Sequence, residues 1–299
     1  MVKFLLTNRF PLLLWWGPQF CQLYNDPYRP VLGDKHPQSI GLPARECWKE
    51  IWGVIGPLIQ TPFEGGPATW MEDIPLELNR YGFVEETHFT IAYSPVPDDE
   101  APRGIGGVLA TVHKISEKVV GERRTMLLRD IGSYASETRV AEEACARAAN
   151  IMGGYPKDVP FALIYLLDPK SEVVRLAGTA GIEPGMRLSP YEIQIGARAR
   201  TPWPLARVLS TEQLETVEDL GKWKGILKGP WTDAPHSAAV LPIRSNTAHK
   251  LAGFMVAGIS LRLRFDDSYR GFLELASAQI ATTVATRMRT KRSANGQRP

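Results

Sequence analysis

The chain has 299 residues, of which 44% are hydrophobic, and a formal net charge of +3. It is long enough for two domains with separate cores, and no apolar run approaches the roughly 20 residues that a membrane helix needs. Its three cysteines form no C-x-x-C pair, so they indicate neither a disulfide framework nor a structural zinc site. We therefore expect a cytoplasmic protein without membrane contact.

The N-terminal stretch FPLLLWWGPQFCQLYND, residues 10–26, predicts a β-hairpin. Residues 12–16 and 20–24 are apolar enough for buried strands, and Gly17-Pro18 is typical of the turn between them. The stretch is not an export signal, because polar residues and a proline interrupt the apolar run and no small-residue cleavage site follows. Asn25-Asp26-Pro27 then predicts the start of a short helix.

The rest of the chain alternates between strand-like and helix-like segments. The spacing of Trp48, Ile51, Trp52 and Ile55 predicts one helix over residues 43–59. Further strands are predicted over residues 68–78, 86–94, 106–112, 161–168, 172–181, 236–245 and 250–260. Further helices are predicted over residues 115–152, with an interruption near 132–138, and over residues 203–209 and 266–288. This order indicates an α+β fold with two domains.

Ordered runs along nearly the whole chain resemble a known arrangement of sensor domains. FPLLLWWG, LYNDPYRPVLGDKHP, GLPARECWKEIW, ATWMEDIPL, EETHFTIAYSPV and GIGGVLATV resemble the PAS-type domain that precedes many bacterial histidine kinases. Residues 119–149 resemble the helical linker that leads from there into a GAF domain. DVPFALIYLLD, RLAGTAGIEPG, PWPLARVL, AVLPI, LAGFMVAGIS and DDSYRGFLELASAQIATTVA resemble successive parts of that GAF domain.

The resemblance implies two domains, each a central antiparallel sheet flanked by helices, joined by a helical linker. The implied boundaries are residues 1–116 for an N-terminally shortened PAS-like sensor domain, 117–136 for the linker, 137–289 for a GAF-like domain and 290–299 for a basic disordered tail. After its last strand the PAS family carries an acidic residue and a threonine, where this chain has HKIS, residues 113–116. The family normally continues into a kinase, and this chain contains none of the kinase motifs.

No catalytic motif stands out, and the sequence predicts that the chain is not an enzyme. Arg200-Thr201-Pro202 resembles the end of a phosphoacceptor box, but Ala197 occupies the position of the histidine. GIGG at residues 104–107 precedes a strand rather than a helix, so it predicts a turn and not a phosphate-binding loop. The five histidines lack metal-ligand spacing, and no G-x-S-x-G elbow occurs.

The remaining reactive residue types have structural interpretations. The paired acids Glu85-Glu86 and the acidic run Asp98-Asp99-Glu100 are predicted to be solvated. Cys145 lies between alanines on a predicted helix, where a buried thiol acts as a small hydrophobic residue. Basic residues after position 286 lack interleaved aromatic residues, so they predict a solvated terminus rather than nucleic-acid binding.

The resemblance implies that each domain can enclose a small-ligand pocket. The aromatic residues suited to lining such pockets are Trp48, Trp52, Trp70, Phe89 and Tyr93 in the first domain and Tyr165, Trp203 and Trp231 in the second. Aromatic residues at helix or strand spacing also form ordinary cores, and this alternative stays open. No motif supports haem, flavin, bilin or a cyclic nucleotide, so the identity of any ligand or cofactor is unknown.

Residues 117–130 and the helix from Asp266 both carry an apolar stripe, which predicts a homodimer with these helices near the two-fold axis. The favoured function is a signal-transduction module that binds a small ligand or a protein partner and acts on a separate histidine kinase or response regulator. One alternative is a truncated, non-catalytic fragment of a sensor histidine kinase. Another is a small-molecule enzyme that uses the GAF pocket, which would require catalytic cysteines in the GAF body.

Overall fold

The computed structural model describes residues 1–133, 140–168, 171–196, 202–222, 230–231, 233–245 and 251–295, the last eleven without their side chains. The chain divides into two compact units, residues 1–120 and 121–299. Each unit contains one antiparallel sheet flanked by helices, which confirms the predicted α+β class. Within the described residues, no helix is both long and apolar enough to cross a bilayer.

The first unit is built on a five-stranded sheet of order β2-β1-β5-β4-β3. Its strands are β1 (Leu12–Trp16), β2 (Cys21–Tyr24), β3 (Thr69–Asn79), β4 (Val84–Pro97) and β5 (Ile105–Lys114). Its helices are α1 (Val2–Thr7), α2 (Arg29–Leu32), α3 (Ala44–Cys47) and α4 (Trp52–Phe63), and α5 (Ser116–Ser133) begins directly after β5. The predicted hairpin and the three later strands of this unit are confirmed.

The two faces of this sheet have different cores, because successive side chains of a strand point to opposite faces. Phe89, Ile91 and Tyr93 of β4 pack with the apolar residues of α2, α3 and α4 in the larger core. On the other face, Leu5 of α1 packs in a smaller cluster with Leu12 and its neighbours on β1. The larger core therefore lies between the sheet and the helices that connect β2 to β3.

The single helix predicted over residues 43–59 is wrong, because α3 ends at Cys47 and α4 begins at Trp52. At this break a side chain bonds to one backbone carbonyl, and a second hydrogen bond joins two side chains. Lys35 Nζ donates to the carbonyl oxygen of Cys47 at 2.6 Å, and Trp48 Nε1 donates to Gln22 Oε1 at 3.0 Å. A carbonyl at a helix end needs such a partner, and both bonds involve residues far away in sequence.

The GIGG segment forms a turn only in part. Gly104 has a φ of +69°, which suits the turn before β5. Gly106 and Gly107 lie within β5, beneath the indole ring of Trp16. A Cβ atom on Gly106 would lie 2.6 Å from Cη2 of Trp16, and one on Gly107 would overlap the carbonyl oxygen of Trp15. These two glycines allow a large aromatic ring to lie flat across the strand.

The second unit is built on a six-stranded sheet of order β8-β7-β6-β11-β10-β9. Its strands are β6 (Ala162–Leu167), β7 (Val173–Ala180), β8 (Glu192–Gln194), β9 (Glu215–Val217), β10 (Ala238–Arg244) and β11 (Leu251–Gly258). Its helices are α6 (Ala141–Gly153), α7 (Leu205–Thr211) and α8 (Asp267–Asn295). The short edge strands β8 and β9 are not predicted by the sequence, since three residues are too few to show a pattern.

Both faces of the second sheet are covered, which explains why β6, β10 and β11 consist of nearly continuous apolar residues. One core contains Ile164, Leu241 and Met255 of the sheet together with apolar residues of α5, α6 and α8. The other contains Leu163, Tyr165 and their neighbours together with apolar residues of α7. The interruption predicted near residues 132–138 falls mostly at 134–139, outside the described residues.

The Gly107→Ala substitution is expected to destabilise the first unit by about 1–3 kcal/mol, because the added Cβ atom forces β1 and β5 apart. Urea unfolding followed by tryptophan fluorescence measures this effect. Gly53→Ala is the matched control, since no atom lies within 4 Å of a Cβ atom at this helical position. Equal stabilities of the two variants would contradict the packing described for Trp16.

Candidate functional site

The structure brings together three of the five aromatic residues proposed for a ligand pocket in the first unit. Trp48, Phe89 and Tyr93 are buried in the larger core, and Trp52 packs at its margin. Trp70 lies on the edge strand β3, and 61% of its surface is exposed. Trp70 is therefore not part of this cluster, and a ligand-binding role for the other four stays a prediction.

Polar groups surround this aromatic cluster, and the sequence analysis did not identify them. Gln22, which is buried, donates from Nε2 to the carbonyl oxygen of Ser39 at 2.9 Å and accepts from the indole of Trp48. The Tyr24 hydroxyl shares hydrogen bonds with His36 Nδ1 at 2.9 Å and with Ser39 Oγ at 3.1 Å. These residues are distant in sequence, so no local spacing could have indicated the network.

Three further polar groups lie inside the same core. Trp15 Nε1 is buried without a hydrogen-bond partner in the described part of the chain. The Trp15 ring contacts Tyr93 edge to face, with 5.1 Å between the ring centroids. Burial raises the pKa of the Tyr93 hydroxyl. Burial is also the main cause that raises the pKa of the Tyr28 hydroxyl, and the nearby Tyr93 adds to it. The interior of the first unit can therefore donate hydrogen bonds from neutral groups.

In the second unit the proposed aromatic residues fall at two places. Tyr165 and Trp203 share one core, where the Tyr165 hydroxyl donates to the carbonyl of Pro190 at 3.2 Å and Trp203 Nε1 donates to that of Leu188 at 2.8 Å. Trp231 lies apart from that core, with Lys157 Nζ 5.4 Å and Arg262 Cζ 5.6 Å from its ring centroid. Tyr165 and Trp203 therefore have structural partners, and Trp231 forms cation–π contacts.

An open depression of about 570 Å³ lies on the second unit. It is lined by Glu218, Asp219, Gly221, His236 and Ser237. Its volume lies within the range of about 300–1,000 Å³ that is typical of small-ligand sites. None of the aromatic residues named from the sequence contributes to this lining, so the sequence prediction did not locate it.

A buried carboxylate attaches α5 to the core of the second unit. Asp158 is fully buried, and it accepts hydrogen bonds from Arg123 Nε at Oδ2 and from Arg124 Nε at Oδ1, the latter at 3.1 Å. Its backbone carbonyl accepts the hydroxyl hydrogen of Tyr269. Arg124 also stacks over the Tyr269 ring, with 4.1 Å from Cζ to the ring centroid. One residue thus connects α5, through its carboxylate, and α8, through its backbone carbonyl, to the loop before β6.

A second polar contact and several apolar ones extend this attachment along α5. The Tyr155 hydroxyl donates to Asp130 Oδ2, and this hydrogen bond to a carboxylate raises the pKa of Tyr155 to about 12. Leu127 and Ile131 of α5 are buried in one core with Ile280 and Val284 of α8. The apolar stripes predicted to pair between two copies of the chain therefore pack largely within one chain, in a core that they share with α6 and the sheet.

The prediction that Glu85 and Glu86 are both solvated is wrong. Glu86 retains only 3% of its side-chain exposure, and its Oε1 lies 3.2 Å from His88 Nε2. Glu85 Oε2 accepts from the buried Arg80 Nε at 2.7 Å. The two adjacent carboxylates point to opposite faces of β4, and each meets a basic group there. The alternation of Glu86 and His88 on one strand face was the available sequence signal.

Within the described residues, no group of three or more candidate ligands could hold a metal ion. All three cysteines are free thiols. Cys145 is fully buried, and burial raises the pKa of its thiol to about 12, which confirms that it acts as a small hydrophobic residue.

No protein-family model and no curated protein matches the chain. Solved structures match a little over half of it. The GAF domain of a phosphoenolpyruvate-protein phosphotransferase from Acinetobacter is 18% identical, over 56% of this chain and 95% of that one, with a TM-score of 0.40. A GAF sensor protein from Burkholderia vietnamiensis is 16% identical, over 56% of this chain and 98% of that one, with a TM-score of 0.43.

A third match corrects one prediction. The free methionine-R-sulfoxide reductase fRMsr of Staphylococcus aureus is 20% identical, over 54% of this chain and 95% of that one, with a TM-score of 0.40. The sequence analysis predicted that the chain is not an enzyme because familiar catalytic motifs are missing. That exclusion is wrong, since the solved structures that match the chain include this enzyme.

The Asp158→Asn substitution is expected to destabilise the second unit by about 3–5 kcal/mol, because it removes the buried negative charge that the guanidinium groups of Arg123 and Arg124 face. Urea unfolding followed by circular dichroism measures the change. Glu192→Gln, which breaks the exposed pair with Arg175 at 2.8 Å, is the control and is expected to cost less than about 1 kcal/mol. Similar losses in both variants would contradict a special role for Asp158.

Proposed function

We propose that the chain is a cytoplasmic signal-transduction module, with a PAS-type sensor in the first unit and a GAF-type regulatory domain in the second. The observation that carries this proposal is the position of helix α5 in the chain and the contacts of its later residues. This helix begins directly after β5 of the first unit, and its later residues Arg123, Arg124, Leu127 and Ile131 join the core of the second unit. A change at the start of the helix can therefore act on residues that support α8.

The topology of the first unit supports the PAS assignment. Its strand order is β2-β1-β5-β4-β3, and the connection from β2 to β3 carries α2, α3 and α4 over one face of the sheet. This arrangement agrees with the ordered sequence runs that resemble PAS domains. The two-sided sheet of the second unit and the similarity of about half of the chain to GAF structures agree with a GAF-type domain.

The input is proposed to be a small ligand or a protein partner, and the output a separate histidine kinase or response regulator. In the first unit, the buried Trp15 Nε1 and the hydroxyls of Tyr28 and Tyr93 provide polar groups inside an aromatic core. A ligand that binds there changes the signal only if its affinity differs between two arrangements of α5. Such a difference requires the ligand to contact groups that move with the helix.

Native mass spectrometry of the purified full chain tests the ligand part of this proposal. A retained small molecule that is lost from a Trp15→Phe variant is the expected result, since this change removes the buried indole N–H. Trp70→Phe, at the exposed edge-strand position, is the control and should retain the molecule. Equal retention by both variants would contradict a site in the core of the first unit.

The module is proposed to act as a homodimer through α5 and α8. Most apolar residues of these helices are buried within the chain, but Met126 of α5 is 53% exposed and Leu275 of α8 is 57% exposed. A second copy that covered these two side chains would remove apolar surface from water. These two residues therefore take the place of the longer apolar stripes expected from the sequence.

The double substitution Met126→Glu and Leu275→Glu is expected to convert the dimer to a monomer at micromolar concentration, because it would place charges in an apolar contact. Sedimentation velocity measures the oligomeric state. Met186→Glu, at an exposed methionine in the loop before β8, is the control and should leave the dimer intact. A wild-type chain that sediments as a monomer would contradict the proposed mode of transmission.

A further inference from the structure

A buried histidine lies between two carboxylates on β4 and β3. His88 Nδ1 is 2.7 Å from Asp73 Oδ1, and His88 Nε2 is 3.2 Å from Glu86 Oε1. The side chain of His88 is 8% exposed and that of Glu86 3%, whereas Asp73 is half exposed. Both ring nitrogens of one imidazole therefore face an anionic acceptor.

This geometry selects the charged form of the imidazole. A neutral imidazole has one N–H donor and one bare nitrogen, and ionised carboxylates can only accept hydrogen bonds. While both carboxylates are ionised, both contacts can be hydrogen bonds only when both ring nitrogens carry a proton. In agreement, the hydrogen bond to Glu86 raises the pKa of His88, burial opposes the rise, and the bond to Asp73 adds to it.

The backbone of the same histidine is bonded to the start of α5. The His88 N–H donates to Ser116 Oγ at 3.0 Å, and the N–H of Ile115 donates to the His88 carbonyl at 2.8 Å. Ser116 is the first residue of α5 and is buried. The residue that carries the proton is thus also the residue to which the junction between β5 and α5 is attached.

Other charged groups border this cluster. On β3, Glu77 is the cross-strand partner of Glu86. At the junction, Lys114 of β5 pairs with Glu117 of α5 at 2.9 Å. His113 of β5 is exposed to solvent. Carboxylates outnumber cations around His88, which favours its protonated form.

We propose that the cluster of Asp73, His88 and Glu86 is a proton-operated switch at the junction between β5 and α5. With its proton, His88 bonds to both carboxylates and fixes the segment of β4 that binds Ser116 and Ile115. When His88 loses this proton, one carboxylate faces a ring lone pair instead of an N–H group. The attachment of α5 to β4 then weakens. Protons are the input of this switch, which requires neither ligand binding nor dimerisation.

The sign of the pH dependence follows from the raised pKa. A histidine whose pKa is higher in the folded state than in the open state stabilises the folded state fully below the open-state pKa, about 6.5 for a free histidine. That stabilisation is lost as the pH rises through the folded-state pKa. The junction should therefore be most protected in mildly acidic solution and least protected in alkaline solution.

Amide hydrogen exchange of the deuterated full chain, measured by NMR between pH 6 and pH 9, tests the switch. The informative amides are Ile115, bonded to the carbonyl of His88, and Val119, bonded to that of Ile115. After correction for the intrinsic exchange rate, their protection should fall by about tenfold for each unit by which the folded-state pKa of His88 exceeds the open-state pKa.

Two variants complete the experiment. His88→Gln should remove the pH dependence of this protection, whereas the control His113→Gln, at the exposed histidine of β5, should retain it. If His88→Gln does not fold, Asp73→Asn, at the half-exposed carboxylate, replaces it and should lower the pKa of His88 in an NMR titration. Protection that does not change with pH in the wild type, or a pKa of His88 that Asp73→Asn leaves unchanged, would overturn the proposal.

Discussion

The buried carboxylate of Asp158 attaches α5 to the second unit by charged hydrogen bonds. A fully buried charge is tolerated only when it is paired and hydrogen-bonded, and here the partners come from two consecutive arginines of α5. The same residue accepts the hydroxyl hydrogen of Tyr269 on α8, whose ring stacks under Arg124. The carboxylate of Asp158 therefore attaches α5 to the loop before β6, its backbone carbonyl attaches α8 to the same loop, and α5 and α8 also share an apolar core.

The helix α5 meets a polar cluster in each unit. At its first residue, Ser116 bonds to the backbone of His88 in the first unit. Further along, Arg123 and Arg124 bond to Asp158, and Asp130 accepts from Tyr155, in the second. Hydrogen bonds to charged groups are directional and stronger than neutral ones. The bonds of Arg123, Arg124 and Asp130 are of this kind, whereas Ser116 and the backbone of His88 form a neutral hydrogen bond.

Local sequence patterns gave reliable strands and less reliable helix ends. The alternation of Phe89, Ile91 and Tyr93, and the apolar runs of β6, β10 and β11, are properties of neighbouring residues, and these strands were predicted. At the break between α3 and α4, the hydrogen-bond partners Lys35 and Gln22 lie far away in sequence. Spacing alone therefore predicted one continuous helix. Likewise, the missing motifs excluded familiar catalytic sites, but they did not exclude an enzyme.

The candidate sites also combine features that local sequence patterns predict with features that depend on distant residues. The sequence predicted one group of Trp48, Trp52, Trp70, Phe89 and Tyr93, of which Trp48, Phe89 and Tyr93 are buried in one core because strand and helix periodicity places them on core-facing sides. The sequence by itself thus determined the α+β class, the order of most elements and the composition of the apolar cores. Only the tertiary structure decided that Glu86 meets His88, that the arginines of α5 meet Asp158 and that Trp70 lies outside the core. Apolar burial follows local periodicity, whereas a buried charge depends on a partner that the fold brings from elsewhere in the chain.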